Sequence, residues 1–382
     1  MLRGGIPIGK AFGISLRLHY SWFIIFALIT FALAAGYFPA TQPTWNLLTR
    51  VIAGLLTSIL FFGSVLAHEL MHSIIAQRNG IPIQSITLFI FGGVSQMTKE
   101  PETPAVEFRM ALAGPLTSVV LGGVFYGIYY LTHPEYPFIY SIALYLGYIN
   151  IILGIFNIIP GFPLDGGRVL RSIIWGATNN LRRSTKIASN IGRGIGYLFI
   201  FVGIFLVFGG NILGMSGWVN GIWLAFIGWF LENAAVGSYR QLALHEVLKG
   251  HQASEIMSRD CVMVSGDMTV ERLINEQILT SGRRCFPVTS ADYGVIGMVT
   301  LQNVKSVPQA MRNTRTIAEI MTPFEKLKKV KPTEDLSTVL QILTESDINQ
   351  VPVVGEDGKN IVGMVSRDTL LTFIDIRGGM GT

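Results

Sequence analysis

The sequence predicts a polytopic α-helical membrane protein of about six transmembrane helices, followed by a soluble α/β pair of repeats. Three observations carry that prediction: apolar runs recur through residues 1–240, the charge balance changes there, and a motif repeats beyond it. Of 382 residues, 50% are hydrophobic and only 14% charged, and mean hydropathy is +0.48, as expected of a chain solvated largely by lipid. Residues 1–240 hold 14 basic and 7 acidic residues, net +7, whereas the remainder holds 15 and 17, net −2. The boundary falls near Tyr239-Arg240.

Runs long enough to span lie near 19–38, 51–77, 106–131, 139–159, 192–209 and 217–238, since about 20 residues cross the hydrocarbon. With the N-terminus inside, the cytoplasmic connections hold Arg3, Lys10, Arg17, Arg78, Lys99, Arg168, Arg171, Arg182, Arg183, Lys186 and Arg240; the opposite ones hold only Arg50. The positive-inside rule therefore sets a multi-pass topology with the N-terminus and soluble part in the cytoplasm. These cations flank apolar segments, so the basic balance implies a bilayer and not nucleic acid. Cys261 and Cys285, both in the soluble part, fit a reduced compartment. No small-residue cleavage site follows the first apolar run, so no cleavable signal is expected. Gly123 to Gly127, Gly192 to Gly196 and Gly217 to Gly221 have the spacing for close helix contacts.

The second span contains His68-Glu69-Leu70-Met71-His72. Imidazoles four residues apart project from one helix face, the spacing for gripping one Zn²⁺, and the glutamate beside them can serve as general base. The competing interpretation is two histidines bonding neighbouring helices. Polar groups at this depth are costly, which favours a functional site. His68 precedes Arg78 by ten residues, roughly 15 Å along the helix, so water must reach it through a polar cavity.

A catalytic zinc usually has three protein ligands. Asp165 is the prominent third ligand, in Asn157-Ile158-Ile159-Pro160-Gly161-Phe162-Pro163-Leu164-Asp165-Gly166-Gly167. Its prolines cannot continue a helix, and broken backbone at membrane depth is tolerated only when buried in protein or lining a wet cavity. Asp165 could alternatively cap the following short helix. Asn157 offers an amide that could donate to an oxyanion or satisfy carbonyls freed by the break. Arg168 and Arg171 are expected to snorkel at the interface.

On these residues the chain resembles the site-2 protease family of intramembrane zinc metalloproteases. The resemblance implies cleavage of a membrane-spanning protein substrate, one Zn²⁺ per chain on His68, His72 and Asp165, Glu69 as base, and Asn157 at the substrate carbonyl. Ile83–Phe91 reads as a strand ending at Gly92-Gly93. We expect this hairpin to clamp an unwound substrate by strand addition, with Gly92 and Gly93 at the substrate; a plain interfacial hairpin is the alternative.

Beyond residue 243, Ala253-Ser254-Glu255-Ile256-Met257 recurs as Ile317-Ala318-Glu319-Ile320-Met321, and Phe286-Pro287-Val288 as Val351-Pro352-Val353. Ile296-Gly297-Met298-Val299-Thr300 likewise pairs with Val362-Gly363-Met364-Val365-Ser366. This resembles a tandem CBS-domain pair, which implies adenine nucleotide (ATP or AMP) as a regulatory ligand. Thr300 and Asn303 fit the family's ribose-contacting pattern; Ser366 is followed by Thr369 instead, with Asp368 one position early. The alternative role is a homodimerisation or packing module without ligand. The expected domains are 1–243 for the transmembrane protease, with CBS copies at 244–308 and 309–382. The competing function is a CBS-gated transporter or channel in the cell membrane, which would not need Glu69 between two histidines.

Overall fold

Six helices among the described residues are long and apolar enough to cross a membrane. They are α1 (Tyr20–Thr41), α2 (Leu47–Arg78), α3 (Pro104–Thr132), α4 (Pro137–Ile158), and, after a shorter α5 (Asp165–Thr178), α6 (Leu181–Val207) and α7 (Trp218–Leu248). The structure is a computed structural model that describes residues 5–97, 99–212, 215–290, 294–358 and 360–379. It divides into two compact units, Met1–Arg240 and Gln241–Thr382.

All six expected spans are present. The fifth begins at Leu181 instead of near residue 192. Asn180 caps it, accepting from the Arg183 amide at 2.8 Å, and the added turns bury Ser184, Thr185 and Ala188 beneath a basic outer face. The helix thus outruns its apolar stretch because amphipathic packing sustains it. Asn46 caps α2 in the same way, accepting from Thr49 at 2.8 Å.

The prolines break the chain between α4 and α5 as expected. The Phe162 amide donates to Ala188 of α6 at 3.2 Å, and Gly192 lies so close to Phe162 that a Cβ there would strike its backbone. Gly196 and Gly203 of α6 meet Gly228 and Gly221 of α7 equally closely, whereas Gly123 and Gly127 face open space.

Four strands form one sheet in the order β1 (Gly5–Ala11), β2 (Ile14–His19), β3 (Ile83–Phe89), β4 (Gly92–Met97). The hairpins β1–β2 and β3–β4 are antiparallel and β2 runs parallel to β3, pairing Leu16 with Ile86. Residues 5–19, which the charge pattern assigns to a plain connection, are therefore strands. Ile14, Leu16 and Leu18 alternate with Ser15, Arg17 and His19 behind Gly13, a two-residue period that was there to be read. Ile14, Leu16, Ile81, Ile83 and Ile86 pack with Ala76 of α2 and Met110 of α3. The sheet is thereby fixed against α3 and against α2, the helix that carries the histidine motif.

In the second unit each copy supplies an antiparallel strand pair: β5 (Cys285–Ser290) with β6 (Gly294–Thr300), and β7 (Gln350–Val354) with β8 (Ile361–Ser366). The leading segments cross between copies. Thr322–Pro323 pairs with β6, and Ser258 bridges to Met364 of β8. Correspondingly, Ala253 lies in the core with Val351, Val353 and Val365, while Ile317 lies in the core with Phe286, Val288 and Val299. Neither copy closes its core alone.

Candidate metal centre

His68 and His72 sit on the buried face of α2, only 5% and 8% exposed. His68 Nε2 lies 3.1 Å and His72 Nε2 3.2 Å from Asp165 Oδ2, and the two nitrogens are 3.2 Å apart. Three ligand-type atoms thus fall within 4.8 Å of one another. The structure brings together the two imidazoles and the carboxylate proposed from sequence. The capping alternative for Asp165 is not what is observed. Leu164 holds the N-cap position of α5 without a side-chain cap bond, and Asp165 faces the imidazoles.

The outer nitrogens explain the inner geometry. His72 Nδ1 donates to the Met110 carbonyl at 2.7 Å, and His68 Nδ1 lies 2.9 Å from Ser118 Oγ. A carbonyl can only accept, so His72 Nδ1 carries a proton, and in the neutral ring that leaves the Nε2 lone pair for a metal. Ser118 Oγ can accept from His68 Nδ1, and in that tautomer of the neutral ring Nε2 is likewise the ligand nitrogen. Both partners belong to α3, and between them Gly114 faces the centre. A Cβ on Gly114 would collide with the Nε2 atoms of both histidines, so α3 presents a cradle of glycine width. Two imidazole nitrogens and one carboxylate oxygen, with outer nitrogens tied down, form a donor set that suits zinc.

Glu69 is half-buried beside this cluster and accepts a hydrogen bond from Ser95 Oγ of β4 at 3.1 Å. Ser95 also lies 3.0 Å from Ser73 Oγ of α2. Gly93 packs on the Glu69 side chain, where a Cβ would sit 3.0 Å from Cδ. Strand β4 ends the sheet order, so the glutamate lies directly behind an edge strand. Gly92 opens that strand at φ +128, a value L side chains rarely adopt.

Asn157 lies near the end of α4 and donates one amide hydrogen to the Leu153 carbonyl of its own helix at 3.0 Å. Thr300 and Asn303 bond mainly each other in a capping box: the Thr300 amide and hydroxyl donate to Asn303 Oδ1 at 2.9 and 2.6 Å. Ser366 and Thr369 form the equivalent pair, 2.7 Å apart, and line a cavity of about 210 Å³ with Ser258, Asp260, Cys261, Arg283 and Gln350. Arg283 is already paired with Asp260. Burial pushes the Cys285 thiol in this cavity up to about 12.

One expectation fails. Arg171 does not snorkel: it is 5% exposed and pairs with Glu107 of α3, which is fully buried. Sequence reasoning also missed Ser118, Gly114, the Met110 carbonyl and Ser95. None has a local signature, because each acts on a residue of a different element.

The family model of peptidase family M50 matches residues 56–144 and 138–203, and the CBS-domain model matches 253–309 and 317–376. Two relatives named as zinc metalloproteases align over nearly the whole chain. One, from Synechocystis sp., is 34% identical over 375 residues, covering 97% of this chain and 95% of the relative. The other, from Methanocaldococcus jannaschii, is 29% identical over 375 residues, covering 97% and 96%. Among solved structures, the site-2 protease from Methanocaldococcus jannaschii is 30% identical, covering 62% of this chain and 96% of that one with a TM-score of 0.43. The chain belongs to peptidase family M50, the site-2 proteases, as a multi-pass membrane zinc metalloprotease that carries a CBS-domain pair.

Proposed function

We propose that this metalloprotease cleaves a peptide bond within or beside a membrane-spanning segment of a protein substrate, using one zinc ion held by His68, His72 and Asp165. The observation that carries the proposal is the convergence of three ligand atoms within 4.8 Å, beside a glutamate hydrogen-bonded to an edge strand. When bound, zinc supplies a Lewis acid that polarises the scissile carbonyl and makes water more acidic. Glu69 takes the proton released by the attacking water and delivers it to the leaving amine nitrogen as the C–N bond breaks. Asn157 has a second amide hydrogen, which would serve the carbonyl oxygen.

A helical peptide bond is shielded by its own backbone, so the substrate must first be extended. The outer edge of β4 offers main-chain groups for strand addition. Gly92 and Gly93 keep that edge low beside Glu69, and Ser95 joins strand and base through one hydroxyl. The N-terminus and the CBS pair are inferred to face the cytosol, from the basic residues flanking the spans. The CBS pair would then regulate cleavage through adenine nucleotide. The pattern proposed for binding it is Thr300 and Asn303, and the cavity beside Ser366 and Thr369 is the equivalent position in the second copy.

The test uses the purified full chain with a membrane-spanning test peptide. Cleavage should be chelator-sensitive and fall about 10³-fold in Glu69→Gln, with zinc still bound. Undiminished cleavage in that variant would contradict the proposal, as would solute flux in place of cleavage.

A further inference from the structure

Among the described residues, the mechanism leaves unused a buried ion pair between α3 and α5. Glu107 is 0% exposed and Arg171 5%. Arg171 Nε donates to Glu107 Oε1 at 2.7 Å, and a terminal nitrogen of the same guanidinium reaches the same oxygen. That terminal nitrogen also lies 3.3 Å from Glu100 Oε2, and the guanidinium stands 5.3 Å over the Phe162 ring. Two donors converging on one buried oxygen tie α5 to α3 at this level.

The same face of α3 that holds Glu107 holds the histidines. Met110, one turn on, accepts from His72; Gly114 underlies both imidazoles; Ser118 bonds His68. Helix α3 therefore sets the imidazole positions directly. Asp165, in contrast, is the first residue of α5, placed after a proline-broken segment at a helix end with no side-chain cap bond. Arg171 follows it by six residues, about 9 Å along the axis. Apolar side chains could pack these helices as well or better, since a buried ion pair contributes little net stability. Its best-attested use is registry.

We propose that Glu107 and Arg171 are positioning residues of the metal centre: their ion pair sets the register of α5 on α3 and so holds the Asp165 carboxylate opposite the two imidazoles. This rests on the zinc assignment to His68, His72 and Asp165. The path is short and continuous, from Asp165 along α5 to Arg171, across to Glu107, and one turn along α3 to the carbonyl that orients His72.

The experiment compares the full chain in detergent with Arg171→Lys, Glu107→Gln and the double replacement Glu107→Met with Arg171→Met. Each is loaded with Zn²⁺ for affinity against graded chelator and with Co²⁺ for its visible absorption spectrum. The double replacement removes the tether while sparing the core an unpaired charge. Zn²⁺ affinity should fall about 10-fold or more in all three, with an altered Co²⁺ spectrum, lower kcat and unchanged KM. Variants that melt earlier yet bind Zn²⁺ as tightly, with the parent Co²⁺ spectrum, would show a purely structural pair and overturn the proposal. Failure of all three to fold would overturn it equally. A parent chain that binds no metal would instead defeat the zinc assignment itself.

Discussion

Two polar pairs flagged by sequence motifs, the His68–His72 pair in the membrane unit and Thr300–Asn303 in the soluble unit, differ in what their hydrogen bonds leave over. Each imidazole spends its outer nitrogen on α3, and the inner nitrogens converge on Asp165. In the soluble unit the Thr300 hydroxyl and the Asn303 carbonyl oxygen close on each other to start a helix. The first pair keeps its inner nitrogens aimed at a common point after its structural demands are met. The second is consumed in large part by capping. Motif spacing alone does not distinguish them; residual valence does.

Substitutions at two glycines break the comparison most sharply. Gly114→Ala drives a methyl into both inner nitrogens. Overpacking of about 1–3 kcal/mol corresponds to roughly 5–150-fold weaker zinc binding, measured by chelator competition. Gly93→Ala instead displaces Glu69 and touches no proposed ligand. Zinc content should stay at the parent value while kcat drops about 100-fold, the cost of misplacing a catalytic group. Equal metal loss in both variants would show that the ligands and the base are not separable.

A smaller effect is expected in the soluble unit. Thr300→Ala removes an N-cap worth about 1 kcal/mol, so calorimetry should show that unit melting a few degrees lower, with zinc content unchanged. A change in zinc content would couple the two pairs in a way their hydrogen bonds do not suggest.

The smallest effect concerns thiol chemistry. Burial holds Cys285 near 12, which leaves about 10⁻⁴ of it as thiolate at pH 8. Maleimide should label it very slowly at pH 8 and about tenfold faster per pH unit up to pH 11. Rapid labelling at pH 8 would place the side chain in a more polar setting than the cavity provides.

Much of the site was legible because its signals are local. The four-residue spacing of His68 and His72 fixes one face, and Asp165 follows two prolines in a segment that cannot be regular helix. The six spans and the two soluble repeats were legible for the same reason, as runs and recurrences along the chain. What escaped depends on pairing at a distance. Arg171 has the composition of an interfacial anchor, and only α3 packed against α5 shows that Glu107 waits for it 64 residues earlier. Ser118 and the Met110 carbonyl are unremarkable until α2 lies across them. The β1–β2 hairpin is masked in the sequence because Lys10 and Arg17 read as topology-setting charges and the alternation of Ile14–His19 spans only six residues.

Metal analysis of the purified intact chain decides whether His68, His72 and Asp165 hold zinc. About one zinc per chain is expected, falling to background in His68→Ala, His72→Ala and Asp165→Ala while Thr300→Ala keeps its full complement. A metal-free parent, or an Asp165→Ala protein that retains zinc at full occupancy and parent affinity, would contradict it.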